Sequence, residues 1–236
     1  MTEFLDLLPP AAALNTLLPY VSPLTEAEQI ATQHSLNRVM AVPTLAPFSL
    51  PPFGRSTVDG YAVRAADTHG ATESLPAYLT LAGEVLMGEI PQLTIKKGEC
   101  ALIHTGGMLP TGADAVVMIE QTERTQIENG TDIEIRKAVG VGDGTLRAGE
   151  DVQIGDVVLE QGTRLRPAEI GGLMALGLDG VDVVRRPRIA ILSSGDELVQ
   201  PGRPIQPGQI YDVNSYTLHA LITQAGGGTN HVPHHS

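Results

Sequence analysis

Apolar residues fall in short, interrupted runs along this chain, and their period changes from region to region. Residues 11–20 (AAALNTLLPY) read as a short amphipathic helix ended near Pro19. A second helix is expected after Thr25, a good N-cap. Glu26 and Glu28 would sit in its first turn, with Ile30, Leu36, Val39 and Met40 on its apolar side. Pro43, Pro47, Pro51 and Pro52 then forbid a helix and favour an extended link, which puts a boundary near 45–53.

Residues 54–140 read as all-β. Leu79, Leu81 and Val85, then Ala101-Leu102-Ile103, then Val116-Val117-Met118-Ile119 are apolar runs divided by Gly and Pro turns, and Ile133-Glu134-Ile135-Arg136 alternates. The Gly-rich stretch 139–165 predicts tight turns between short strands. It holds neither a GxxxxGK[ST] phosphate loop nor a dinucleotide fingerprint. A helix is expected from Pro167, with Glu169 in its first turn, Ile170, Leu173 and Met174 as its buried stripe, and Gly177 as its C-terminal cap. Ile189-Ala190-Ile191-Leu192 is continuously apolar, which predicts a parallel strand covered on both faces. Asn214 reads as the N-cap of a further helix, with Leu218, Leu221, Ile222 and Ala225 on its apolar side and Gly226-Gly227-Gly228 at its end.

Composition sharpens this picture. The chain carries 26 Gly, 17 Pro, no Trp and 3% aromatic residues, which argues against a helical bundle. Its net charge of −12 argues against a nucleic-acid partner, because phosphate neutralisation needs clustered cations. One cysteine, Cys100, excludes an intrachain disulfide and multi-cysteine zinc sites. No apolar run approaches a membrane span, and Met1–Asp6 has no basic segment of a signal peptide, so a cytoplasmic setting is expected.

Four constellations could carry chemistry. Asp59-Gly60, flanked by Arg55 and Arg64, is either a capped turn or a rigidly held carboxylate for a metal or substrate. His104-Thr105-Gly106-Gly107 is either a tight turn closing a strand or a nest of backbone N–H groups for an oxyanion, with His104 read as a strand residue rather than a ligand. Arg147-Ala148-Gly149-Glu150-Asp151 offers paired acids for a hard cation, or simply a solvated turn. Ser194, Asp196 and Glu197 follow a strand of parallel type, and Asn214-Ser215 opens the next helix, which is where open α/β sheets bind ligands. The tail Asn230–Ser236 holds three of the seven histidines; a frayed end is favoured there over a metal site.

Six segments, in this order, resemble the molybdopterin molybdenumtransferases, the MoeA/gephyrin E-domain family. They are Pro51-Pro52-Phe53 through Ser56-Thr57-Val58-Asp59-Gly60-Tyr61-Ala62-Val63-Arg64, then Ile103-His104-Thr105-Gly106, then Gly112-Ala113-Asp114-Ala115-Val116-Val117. Arg147-Ala148-Gly149-Glu150-Asp151, Ser194-Gly195-Asp196-Glu197-Leu198 and Gly208-Gln209-Ile210-Tyr211-Asp212-Val213-Asn214-Ser215 complete the set. Each is weak alone; together they extend the resemblance over residues 14 to about 226.

The resemblance implies a multidomain α+β and α/β protein. An N-terminal helix (1–22) would precede an elongated mixed domain (23–45 with 141–183) into which a β-rich domain (46–140) is inserted, and the start of a molybdopterin-binding α/β domain (184–236) would follow. It implies insertion of molybdate into molybdopterin adenylate with release of AMP, assisted by Mg²⁺. It also implies a homodimer, and a molybdopterin-adenylylating protein or domain as upstream supplier. Carried over residue by residue, Asp59, Thr105, Asp151 and Glu197 would be catalytic, with Asp59 and Glu197 as metal ligands. Ser194, Asp196, Asn214 and Ser215 would line the molybdopterin pocket.

The family's Gly-Gly-Val-Ser and Pro-Gly-Asn-Pro segments do not occur here, and the residues after Gly227 are not expected to continue its next strand. A C-terminally truncated chain is therefore expected. The alternative to the transferase is a catalytically incomplete fragment acting only as a dimerising or interaction module. An unrelated Mg²⁺-dependent phosphoryl enzyme using Asp59, Asp151 and Glu197 conflicts with the motif order.

Overall fold

The computed structural model describes residues 8–128 and 130–231. Met1–Asp6 and the tail histidines His234 and His235 lie outside them. The architecture is mixed α+β in two compact units, one of 1–44 with 159–236 and one of 45–158. The chain leaves the first unit within the proline-rich stretch.

The 45–158 unit is built on a six-stranded mixed sheet. Its strands run, in spatial order, Ala115–Met118, Gly60–Val63, Glu99–Ile103, Ala77–Glu84, Gly130–Ile135 and Thr122–Ile127. Every pairing is antiparallel except that of Ala77–Glu84 with Glu99–Ile103, which is parallel and irregular between Leu81 and Gly83. Alternation sends side chains to opposite faces, and here both faces are covered. Tyr61, Val63, Leu79, Cys100, Val117, Ile133 and Ile135 build one cluster; Ala62, Val85, Ile95, Ala101, Ile103 and Val116 build the other. Each fully buried Val, Leu or Ile contributes roughly 1.5–3 kcal/mol.

Residues 141–158 belong to this unit. Thr145–Leu146 pairs antiparallel with Arg55–Ser56, the Val116 N–H donates to the Asp143 carbonyl, and Leu50 bridges to Val152.

In the other unit, helix Pro10–Leu17 continues as a turn of 3₁₀ helix to Tyr20, with no residue buried. The helix expected after Thr25 is absent: Ala27–Ala31 is a strand, followed by one 3₁₀ turn, Thr32–His34. The cause is non-local, since Ala27–Ala31 pairs antiparallel along its whole length with Gly180–Val184. Behind that pair lie Met40, Leu165, Leu173, Val181 and Val183. Arg38, nearly buried, pairs with Glu28 and donates to the Val184 carbonyl at 2.8 Å.

Helix Pro167–Ala175 starts on half of a capping box: the Glu169 side chain reaches back to accept the Arg166 N–H at 2.9 Å. Its buried contact is Leu173, whereas Met174, expected in the buried stripe, is exposed.

Arg188–Ile191 pairs in parallel with Gly228–His231, so a strand does follow Gly227. Helix Asn214–Gln224 lies between these two strands in sequence. The expected double covering is not seen: Ile191 is buried, but Ile189 and Leu192 are exposed. Only one partner strand pairs with Arg188–Ile191 among the described residues.

Candidate functional site

Asp59 ends the bend that leads into the Gly60–Val63 strand. Gly60 is there because nothing larger fits: a Cβ at this position would stand 1.9 Å from the Val117 carbonyl oxygen. That close approach pins the backbone beside Asp59, and the Asp59 carbonyl accepts from the Ile119 N–H at 3.0 Å.

From the neighbouring strand Glu99–Ile103 the chain enters the His-Thr-Gly-Gly turn. Thr105 turns both of its donors on Asp59: the backbone N–H at 2.8 Å and the hydroxyl at 3.2 Å, both to Oδ1. Nδ1 of His104 lies 3.6 Å from the same oxygen, and its Nε2 lies 3.4 Å from Oε1 of Glu84, the last residue of strand Ala77–Glu84. These contacts hold the Asp59 carboxyl below its ordinary value. The Thr105 N–H is the main cause, partial loss of hydration opposes it, and the Thr105 hydroxyl and His104 add to it. Asp59 is therefore an exposed, ionised carboxylate in a defined orientation.

The turn is not an oxyanion nest. The Thr105 N–H is taken by Asp59, the Gly106 N–H by the Ser56 carbonyl at 2.8 Å, and the Gly107 N–H by the His104 carbonyl at 2.9 Å. Gly106 serves the turn through its φ of +87°, which an L side chain rarely adopts.

Asp151 lies on a separate turn of the same unit. Its N–H donates to the Leu50 carbonyl at 3.0 Å and its side chain is exposed. The neighbouring Glu150 closes that turn by accepting the Arg147 N–H at 2.8 Å. Cys100 is not a nucleophile: burial, with the Asp132 charge second, pushes its thiol up to about 12.

The remaining expected residues lie in the other unit. Ser194, Asp196 and Glu197 form the exposed loop after strand Arg188–Ile191, and the Glu197 carbonyl accepts the Ile210 N–H at 2.8 Å. Leu198–Val199 and Ile210–Tyr211 then pair in parallel, which brings this loop beside the start of helix Asn214–Gln224. Ser193 and the buried Ser215 share a short hydroxyl contact. Asn214 is not the cap. Asp212, buried, accepts the Ser215 N–H at 3.0 Å and fastens the first turn.

The structure thus brings Asp59 together with Thr105, and Ser194–Glu197 together with Asn214 and Ser215. Sequence reasoning missed Glu84 and the contact role of His104. Nothing local marks Glu84; His104 stood next to Thr105 and could have been suspected. Asp212 was passed over in favour of Asn214, although Asp is an equally good cap. Among the described residues no three His, Cys, Asp or Glu side chains gather to hold a metal ion. No described helix is long and apolar enough to cross a membrane.

Fold and site together define a mixed α+β protein that displays an oriented carboxylate on a six-stranded sheet. The family model of the MoeA N-terminal region (domain I and II) matches residues 8–177, and the chain belongs to that family. A protein named molybdopterin molybdenumtransferase 2, from Mycobacterium tuberculosis, is 40% identical over 217 residues, 92% of this chain and 50% of that protein. A molybdopterin molybdenumtransferase from Haemophilus influenzae is 39% identical over 198 residues, 84% of this chain and 47% of that protein. A crystal structure of a molybdopterin biosynthesis MoeA protein from Pyrococcus horikoshii superposes with a TM-score of 0.86 at 33% identity, covering 97% of this chain and 60% of the other. The chain spans about half the length of the curated relatives it matches.

Proposed function

We propose that this chain carries the N-terminal part of a molybdopterin molybdenumtransferase. The reaction would insert molybdate into molybdopterin adenylate with release of AMP. The observation that carries the proposal is the Asp59–Thr105 contact, an exposed carboxylate held ionised by two donors from one residue. Similarity to relatives named as transferases over most of the chain supports it.

In this reading Asp59 is the working carboxylate, Thr105 fixes it and lines the cleft, and Asp151 is a further cleft acid. Glu197, with Asp196 beside it, works from the loop after the strand, and Ser194, Asn214 and Ser215 contribute to the pterin pocket. Asp59, exposed and ionised, and Glu197, exposed, are each hard oxygen donors of the kind Mg²⁺ prefers, and each would serve as a ligand. Bound Mg²⁺ would offset charge between molybdate and the nucleotide phosphates. A homodimer in the cytoplasm, supplied by a molybdopterin-adenylylating protein or domain, completes the proposal.

The test is complementation. A protein of the relatives' length carrying this sequence should restore molybdoenzyme activity to cells lacking the transferase, and Asp59→Asn should abolish the rescue. Full rescue by Asp59→Asn would remove Asp59 from the site, and no rescue by the unmodified protein would overturn the assignment.

A further inference from the structure

We infer that His104 is a positioning residue through which Glu84 helps set the orientation of Asp59. For its functional consequence this rests on Asp59 being the working carboxylate; the coupling itself does not.

Three groups converge on one oxygen of Asp59: the Thr105 N–H, the Thr105 hydroxyl and His104 Nδ1 all face Oδ1. All of these contacts fall on one side of the carboxylate, which leaves Oδ2 for a ligand. The imidazole spans the space between two strand ends, with Nδ1 at 3.6 Å from Asp59 and Nε2 at 3.4 Å from Glu84. At those lengths the ring is a loose polar bridge between the two carboxylates rather than a clamp of short hydrogen bonds.

Both ends of the bridge have fixed backbones. Glu84 sits opposite Leu102 in the parallel pairing, and the Val85 N–H donates to the Leu102 carbonyl at 2.8 Å. The His104 carbonyl is held by the Gly107 N–H. A Cβ at Gly107 would come within 2.9 Å of both that carbonyl oxygen and Ile103 Cγ1, so the turn has no slack. Met87 packs close by, its Cε 3.6 Å from where a Cβ on Gly106 would stand. The two carboxylates are thus presented to one ring by rigid elements, and their own side chains are the adjustable parts.

Amide hydrogen exchange in this chain at fixed pH tests the coupling, with the Thr105 N–H as reporter because it donates to Asp59. His104→Phe keeps the ring and removes both nitrogens. It should speed Thr105 exchange about three- to tenfold, the loosening expected when one hydrogen bond is weakened. Glu84→Gln should speed it less, and His104→Phe with Glu84→Gln should exchange no faster than His104→Phe alone. His104→Gln, which keeps a donor, should restore part of the protection. Ala101 and Ile103 amides in the adjoining strand report the fold and should not change. Unchanged Thr105 exchange in His104→Phe, or additive effects of the two substitutions, would overturn the inference. Because no substrate enters the measurement, its outcome is separate from that of complementation.

Discussion

Thr105 gives both its backbone N–H and its hydroxyl to a single oxygen of Asp59, a residue 46 positions earlier in the chain. That double contact converts an exposed aspartate into an oriented anion. It also states the sign of its pH response. The carboxyl is held below 3.8, so the bond contributes above that value and is lost as pH falls through the lowered one. In an acid titration the Thr105 amide resonance should move with Asp59, at a midpoint below 3.8. A midpoint at or above 3.8 would show that the contact does not stabilise the anion.

Thr105→Val keeps the backbone donor and removes the hydroxyl. In a protein of the relatives' length it should lower molybdenum insertion less than Asp59→Asn does. The latter should cost about a hundredfold or more in rate if Asp59 acts on the reacting groups. Equal effects of the two would assign the work to the hydroxyl instead.

Gly60→Ala should be among the most damaging single changes in the 45–158 unit. Its methyl group would overlap the Val117 carbonyl, which is backbone and cannot swing aside. A loss of about 3 kcal/mol or more is expected from such overpacking. Urea unfolding followed through the Gly60–Val63 amides measures it, and a loss below about 1 kcal/mol would contradict the geometry.

Leu173→Ala should cost about 2–5 kcal/mol, because Leu173 is buried against Met40, Leu165 and Val183. Met174→Ala, one residue on and exposed, should stay within about 0.5 kcal/mol. The pair separates packing from helix propensity, since both changes favour the helix equally. Urea midpoints read from the Ala27–Ala31 amides decide it.

The start of that same helix should weaken in acid. The Arg166 side chain, hydrogen-bonded to Glu169, lowers the Glu169 carboxyl from 4.5 to about 2. A depressed carboxyl stabilises the fold above its unfolded value and loses that contribution as pH falls from about 4.5 towards about 2. Exchange of the Arg166 and Ile170 amides should accelerate across that window and not above it. Glu169→Gln should remove the pH dependence.

Much of the local structure was legible because it depends on neighbours in the chain. Pro167 with Glu169 two residues later gave the helix start, the alternation at Ile133–Ile135 gave a strand, and the glycines of 142–162 gave turns, with positive φ at Gly142, Gly144, Gly149, Gly155 and Gly162. The expected helix after Thr25 failed for the opposite reason. Its capping signals were real, but pairing with Gly180–Val184 satisfies the backbone of Ala27–Ala31 in another way, and no local pattern announces a partner so far along the chain.

The site divides along the same line. The sequence by itself determined that Asp59, Thr105, Asp151 and Glu197 stand in family-like segments, and that Asp59 precedes a glycine; that only glycine fits there was decided by the Val117 carbonyl packed against it. Tertiary structure alone decided that Thr105 spends its donors on Asp59, that the glycine N–H groups are taken by the Ser56 and His104 carbonyls, that Asp212 rather than Asn214 fastens its helix, and that His104 stands between Asp59 and Glu84. Propensity and capping act within a few residues, whereas sheet register sets which distant side chains meet; moving one strand by a single residue would turn these groups to the opposite face.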